Sequence, residues 1–189
     1  MDKRMPIIKT DRESIIKESV ALFKIHGYHN TTMANIGEAC GLIKGSMYHY
    51  FKSKEQIGLE SLKYIHEYFN QHIFSIAYQT NLSDKDKMIQ FVKKNDEYFL
   101  KSAGGCLLGN LALEVAHDLP EFKEEIIAYF TNWEHALIEI LKNNFDSHLS
   151  KEIASEAVAS WQGAIMMMNL YNNSDSYLRI GKKLIAKFD

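Results

Sequence analysis

Apolar positions recur at steps of three and four along most of the chain, and no stretch of convincing length alternates at a step of two. That periodicity predicts helices and no sheet. In "DRESIIKESVALFKIHG" the apolar stripe is Ile15, Ile16, Val20 (or Ser19), Leu22 and Phe23. Thr10 or Asp11 is placed to cap its start, Glu13 sits in the first turn, and Gly27 marks its stop. "TTMANIGEACG" predicts a second, short helix, capped by Thr32, turning Ile36 and Ala39 inward and halting at Gly41. "KGSMYHYF" predicts a third, anchored by Met47 and Phe51 one helical turn apart. Ser53, followed three positions later by Gln56, has the form of a capping box and opens a long helix from Lys54 to about Tyr78. Further helices are expected at roughly 84–102, 105–117, 120–145, 150–171 and 174–188, separated by "TNLSD", "SAGG", "DLP", "NFDSHLS" and "NNSD". The expected fold class is all-α.

Composition narrows this picture. Of 189 residues, 46% are apolar and 24% charged, enough to bury a core and too apolar for a disordered chain. The two prolines, Pro6 and Pro120, leave room for long helices. No run of about 18 apolar residues occurs, so no membrane-spanning helix is expected. The start, "MDKRMPIIKTDRESI", lacks the apolar stretch of a secretory signal. A cytoplasmic protein is expected, in which Cys40 and Cys106 stay as thiols.

Charge is divided unevenly. Residues 1–54 hold 9 Lys and Arg against 5 Asp and Glu, whereas residues 55–189 hold 13 against 19. A basic front on an acidic body suits contact between the front and a polyanion. The division near residue 54 also gives the expected domain organisation, 1–54 and 55–189.

Two short helices joined by a glycine-containing turn of about four residues are the helix-turn-helix pattern, whose second helix enters the DNA major groove. That assignment accounts for "GLIKGSMYHYFKSK". Met47 and Phe51 anchor the recognition helix, Gly41 permits the turn, and Gly45 lets the backbone approach DNA closely. Lys44, Ser46 and His49 face outward toward bases or phosphates. The hydroxyls of Tyr48 and Tyr50 suit phosphates, and Tyr48 also suits a thymine methyl. Thr32 and the amides at its helix start offer a phosphate site, and Lys54 adds charge beside it.

The stretch "TTMANIGEACGLIKGSMYHYFKSKEQIGLESL" resembles the DNA-binding segment of TetR-family transcriptional regulators. The matching positions are Thr32, Ile36, Gly41, Leu42, Gly45, Met47, Tyr48, Tyr50, Phe51 and Lys54. Met47 stands where leucine is usual, Ile57 is a similar apolar exchange, and Gly37 replaces the commoner alanine. The resemblance is strong over 11–62 and looser beyond. It implies a homodimer on a double-stranded DNA operator, a helical C-terminal domain for ligand binding and dimerisation, and repression relieved by a small molecule. Downstream, "GCLLGN" resembles a subgroup in which this motif begins a central helix. Some members of that subgroup respond to electrophiles or oxidants through a cysteine, which by position is Cys106 here.

Cys106 follows Gly104-Gly105 at an expected helix start, where free amides and the helix dipole favour thiolate. The competing reading is a small thiol filling a core gap. Further candidates for the effector pocket are Phe91, Tyr98, Asn110, Trp133, Trp161 and Met168, with Asn110 buried and in need of a partner. The effector is expected to be small and either hydrophobic or electrophilic. Ile153, Ala157, Trp161, Ala164 and Met168 form one stripe, continued by Tyr177, Leu178, Gly181, Leu184, Ile185 and Phe188. Its breadth predicts a dimer interface containing Ile153, Ala157, Ala164, Tyr177, Gly181 and Leu184. The histidines show no strong metal-site spacing, and no metal or cofactor is expected. The alternative from another class is a small helical enzyme acting on a hydrophobic substrate, with Cys106 as nucleophile; it leaves the face from Lys44 to Lys54 unexplained.

Overall fold

The computed structural model describes residues 11–189, apart from the side chain of Lys44. Thr10, the alternative first cap, lies outside the described residues. The helices are α1 (Arg12–His26), α2 (Met33–Ala39), α3 (Lys44–Tyr50), α4 (Lys54–His72), α5 (Asp84–Phe99), α6 (Leu107–Val115), α7 (Pro120–Leu141), α8 (Ser147–Tyr171) and α9 (Asp175–Ile185). Short 3-10 turns follow α4 (Phe74–Tyr78) and α9 (Ala186–Phe188).

The helix starts are set by local chemistry. Asp11 accepts the Ser14 amide at 2.8 Å, Ser53 the Gln56 amide at 3.1 Å, and Asp146 the His148 and Leu149 amides at 2.8 and 2.9 Å. Each satisfies an otherwise orphaned first-turn donor, worth roughly 1 kcal/mol. Gly27 ends α1 at φ 78°.

α1 packs on α4, and α2 on α1 and α3, forming the N-terminal unit. α4 continues onto α7, which pairs with α8, while α9 packs on α8 and α5. α6 bridges α7 and α1. Trp133 on α7 sits in the middle of the body, its ring stacked on Trp161 of α8 (5.7 Å) and Phe99 of α5 (6.0 Å), with Tyr129, Phe69 and Phe74 around it.

Two expectations are corrected. The long helix stops at His72 instead of running to Tyr78. Ile73, Phe74, Ile76 and Ala77 are all buried. At 3.6 residues per turn Phe74 would leave the inward face; the tighter 3-10 turn directs it onto Phe91, Tyr129 and Trp133. The second correction concerns the stripe assigned to dimer contact. Ile153, Ala157, Ala164, Tyr177, Gly181 and Leu184 are buried within the single chain. A Cβ on Gly181 would come within 2.4 Å of Val92 on α5. The broad apolar face of these helices is consumed by the chain's own core, because α8 has neighbours on two sides, α7 and α9.

Candidate DNA-binding face and adjoining cavity

The second helix of the motif is positioned from beneath. Met47 and Phe51 are 0% and 1% exposed, each contributing roughly 1.5–3 kcal/mol of burial. Gly41 adopts φ 67° in the turn, a conformation costly for any residue bearing a Cβ. Arg12 acts as a clamp that the sequence pattern does not reveal. Its guanidinium lies 4.1 Å from the Phe51 ring centroid, donates to the Tyr50 carbonyl at 2.5 Å, and pairs with Glu60 of α4. One side chain therefore fixes the end of α3 against both α1 and α4.

On the outward side, Gly45, Tyr48 and His49 are exposed, and Ser46 is half-buried. Nothing lies within 4 Å of a Cβ placed on Gly45, so that face is open to a groove. Lys44 begins α3, and its side chain lies outside the described residues. Tyr50 is half-buried and packs against the core. Thr32 is exposed but engaged: its hydroxyl donates to the Asn35 side chain at 2.6 Å and accepts the Asn35 amide at 3.2 Å in a reciprocal cap. Lys54 is held inside the fold, donating to the Tyr28 carbonyl at 2.8 Å with its ammonium 4.2 Å from the Tyr28 ring centroid. It braces α4 against the α1–α2 loop and lends its charge from a fixed place.

A cavity of about 580 Å3 lies among α1, α6, α7 and α8. Of the seven effector candidates, Cys106 and Asn110 line it. Phe91, Tyr98, Trp133, Trp161 and Met168 do not: the four aromatics belong to the ring cluster, and Met168 packs on the core from the side. Asn110 is exposed, contrary to expectation, and its amide donates to the Gly104 carbonyl at 2.8 Å and the Lys24 carbonyl at 3.4 Å. Reasoning from the sequence missed Lys24, Phe130, Gln162, Met166 and Asn169 in the lining. Lys24 was hidden by its type, since an isolated lysine on a helix normally faces water.

Cys106 caps α6, its sulfur accepting the Gly109 amide at 3.4 Å. Burial pushes its thiol up, opposed by that amide and by the Lys24 charge. The helix start alone therefore does not make it a thiolate. Gly104 and Gly105, at φ 76° and 74°, bring the chain against α1, where a Cβ on Gly104 would lie 2.7 Å from the Lys24 carbonyl.

The cavity wall is tied directly to the DNA-binding unit. Asn110 and Glu114 stand one turn apart on α6. Asn110 holds the Lys24 carbonyl, and Glu114 accepts the Tyr28 and His29 amides at 2.8 and 2.6 Å. These are backbone groups at the end of α1 and the start of the loop into α2.

A helix-turn-helix with an open outer face, carried on an all-helical body, defines a DNA-binding transcriptional regulator. Residues 15–60 match the family described as bacterial regulatory proteins, tetR family, and residues 86–183 match the transcriptional regulator LmrA/YxaF-like C-terminal domain. The chain belongs to the TetR family. It is 26% identical to the HTH-type transcriptional repressor DhaR of Mycobacterium sp. (strain GP1), covering 87% of this chain and 85% of that protein. It is 28% identical to the HTH-type transcriptional regulator LmrA of Bacillus subtilis (strain 168), covering 89% and 92%. The fold is shared with a TetR transcriptional regulator from Legionella pneumophila at a TM-score of 0.84 and 20% identity, over 94% of this chain and 97% of that one.

Proposed function

We propose that this regulator is a repressor whose homodimer holds a palindromic operator and releases it when a small molecule occupies the cavity beside Cys106. In this reading residues 1–54 read DNA through Tyr48, His49, Ser46 and Lys44, and residues 55–189 bind effector and dimerise. The observation that carries it is the pair of polar ties from α6 to the end of α1, because the cavity and the ties share one helix. A ligand that shifts α6 pulls on the backbone that orients α2 and α3. Modification of Cys106 would act on the same wall, but the buried thiol favours a non-covalent occupant. An enzymatic role for Cys106 is disfavoured, since burial holds its thiol up and none of the described lining residues is a histidine.

Dimerisation is assigned to the outward face of α8, where Met166, Met167, Leu170 and Tyr171 are 59%, 39%, 66% and 65% exposed.

Linkage supplies the test. Any compound that occupies the cavity must bind free protein and operator-bound protein with different affinities, and operator must weaken its binding by the same factor. Calorimetric titration of a cavity ligand with and without operator, paired with operator titrations, measures both. A ligand bound in the cavity that leaves operator affinity unchanged contradicts the proposal.

A further inference from the structure

The polar groups of the cavity are out of balance. Lys24 is 7% exposed, and none of the described lining residues is an Asp or Glu. Its ammonium donates to the Ser102 hydroxyl and stands 5.2 Å from the Tyr98 ring centroid, neither of which carries a compensating negative charge. The Gln162 side-chain nitrogen is also buried, and the acceptor facing it is the weakly accepting Cys106 sulfur. The Asn110 and Asn169 amide nitrogens already donate to backbone carbonyls. The rest of the wall is apolar: Ala112, Leu113, Phe130, Ile165 and Met166. A buried cation without a counter-charge and a buried donor left with only a weak sulfur acceptor each cost free energy in the empty protein, and an anionic acceptor entering the cavity would relieve both.

We infer that the cavity recognises a small apolar molecule bearing one carboxylate, its head on Lys24 and Gln162 and its body along the α6–α7–α8 wall. This rests on the reading of the cavity as the effector site and names the chemical class that the site takes. It also gives that site a direct hold on the DNA-binding unit, because Lys24 belongs to α1. Burial lowers the Lys24 ammonium from 10.5 to about 8, so it is charged at neutral pH and titrates within an accessible range. The titratable groups facing it are Tyr98 from α5 and Cys106, the cap of α6.

The test uses linear and phenyl-substituted carboxylic acids of four to twelve carbons, each paired with the alcohol of the same skeleton. Binding is read by calorimetry, and operator release by fluorescence anisotropy, for wild type, Lys24→Met and Lys24→Arg. At least one acid should bind ~10-fold or more tightly than its alcohol. Lys24→Met should erase that preference while keeping its fold, since it removes a buried charge, and Lys24→Arg should retain part of it. In wild type the preference should decline as pH rises above about 8. Alcohols binding as well as acids, a preference that survives Lys24→Met, or no acid binding below millimolar would each overturn the inference. Alcohols that release operator would leave the regulatory reading intact and sink the head-group assignment. Acids that bind through Lys24 with operator affinity unchanged would do the reverse.

Discussion

At the scale of single residues, side-chain placement separates the groups on the open face of α3 from those that hold the fold. Tyr48 and His49 are presented outward, whereas Arg12, Lys24 and Lys54 each bind their own chain. Three of the basic residues behind the positive balance of the front segment are therefore internal braces. Lys24 makes this measurable. The unfolded chain keeps its lysine proton up to the ordinary 10.5, and the folded chain releases it near 8. Between those values the unfolded state binds more protons, so stability contributed at this site rises with pH. Urea unfolding of wild type and Lys24→Met between pH 7 and 10 should show the variant at least as stable at pH 7 and the difference shifting toward wild type as pH rises. Parallel curves would show that Lys24 is not destabilised by burial.

At the scale of elements, the three N-terminal helices follow directly from residues in the sequence: Asp11 and Thr32 as caps, Gly27 and Gly41 at positive φ, Met47 and Phe51 as anchors. Local chemistry decides these features, so local sequence carries them. The body is less legible, because an apolar stripe states that a helix face is buried without naming what buries it. The Ile153-to-Leu184 stripe satisfies dimer and core equally well on paper, and only the packing of α8 between α7 and α9 decides for core. The aromatic candidates fail for the same reason. Trp133 and Trp161 are stacked on each other in the core, while the cavity gathers beside them from Lys24, Gly109, Gln162 and Met166. Glu114 is the element-scale link that no spacing rule singles out. Replacing it with Gln leaves one carbonyl oxygen for two backbone amides and sets an NH2 against a donor. Glu114→Gln should lower stability by about 1–3 kcal/mol and reduce the effect of a cavity ligand on operator affinity. Thermal unfolding and paired operator titrations check both, and full ligand response with a loosened loop would place the coupling elsewhere.

At the scale of the whole molecule, a two-fold operator calls for two recognition helices held about one helical turn of DNA apart, which a single chain cannot supply. The strongly amphipathic α9 spends its apolar side on α8 and α5 and turns Arg179, Lys182 and Lys183 outward, so the proposed self-association falls to the exposed apolar face of α8. Met167→Asp combined with Leu170→Asp, neither of which lines the cavity, should give monomers in analytical ultracentrifugation with unchanged helical content and a large loss of operator affinity. A dimer that persists would move the interface to another face.

The open face of α3 is proposed to read a DNA sequence. Fluorescence anisotropy of wild type and Tyr48→Ala on a labelled palindromic fragment from upstream of the chain's own gene, in excess random DNA, tests it most directly. Wild type should prefer the fragment over random DNA by at least ~10³, and Tyr48→Ala should lose most of that preference while unfolding at the same temperature. Equal affinity for both DNAs, or a preference untouched by Tyr48→Ala, would contradict it.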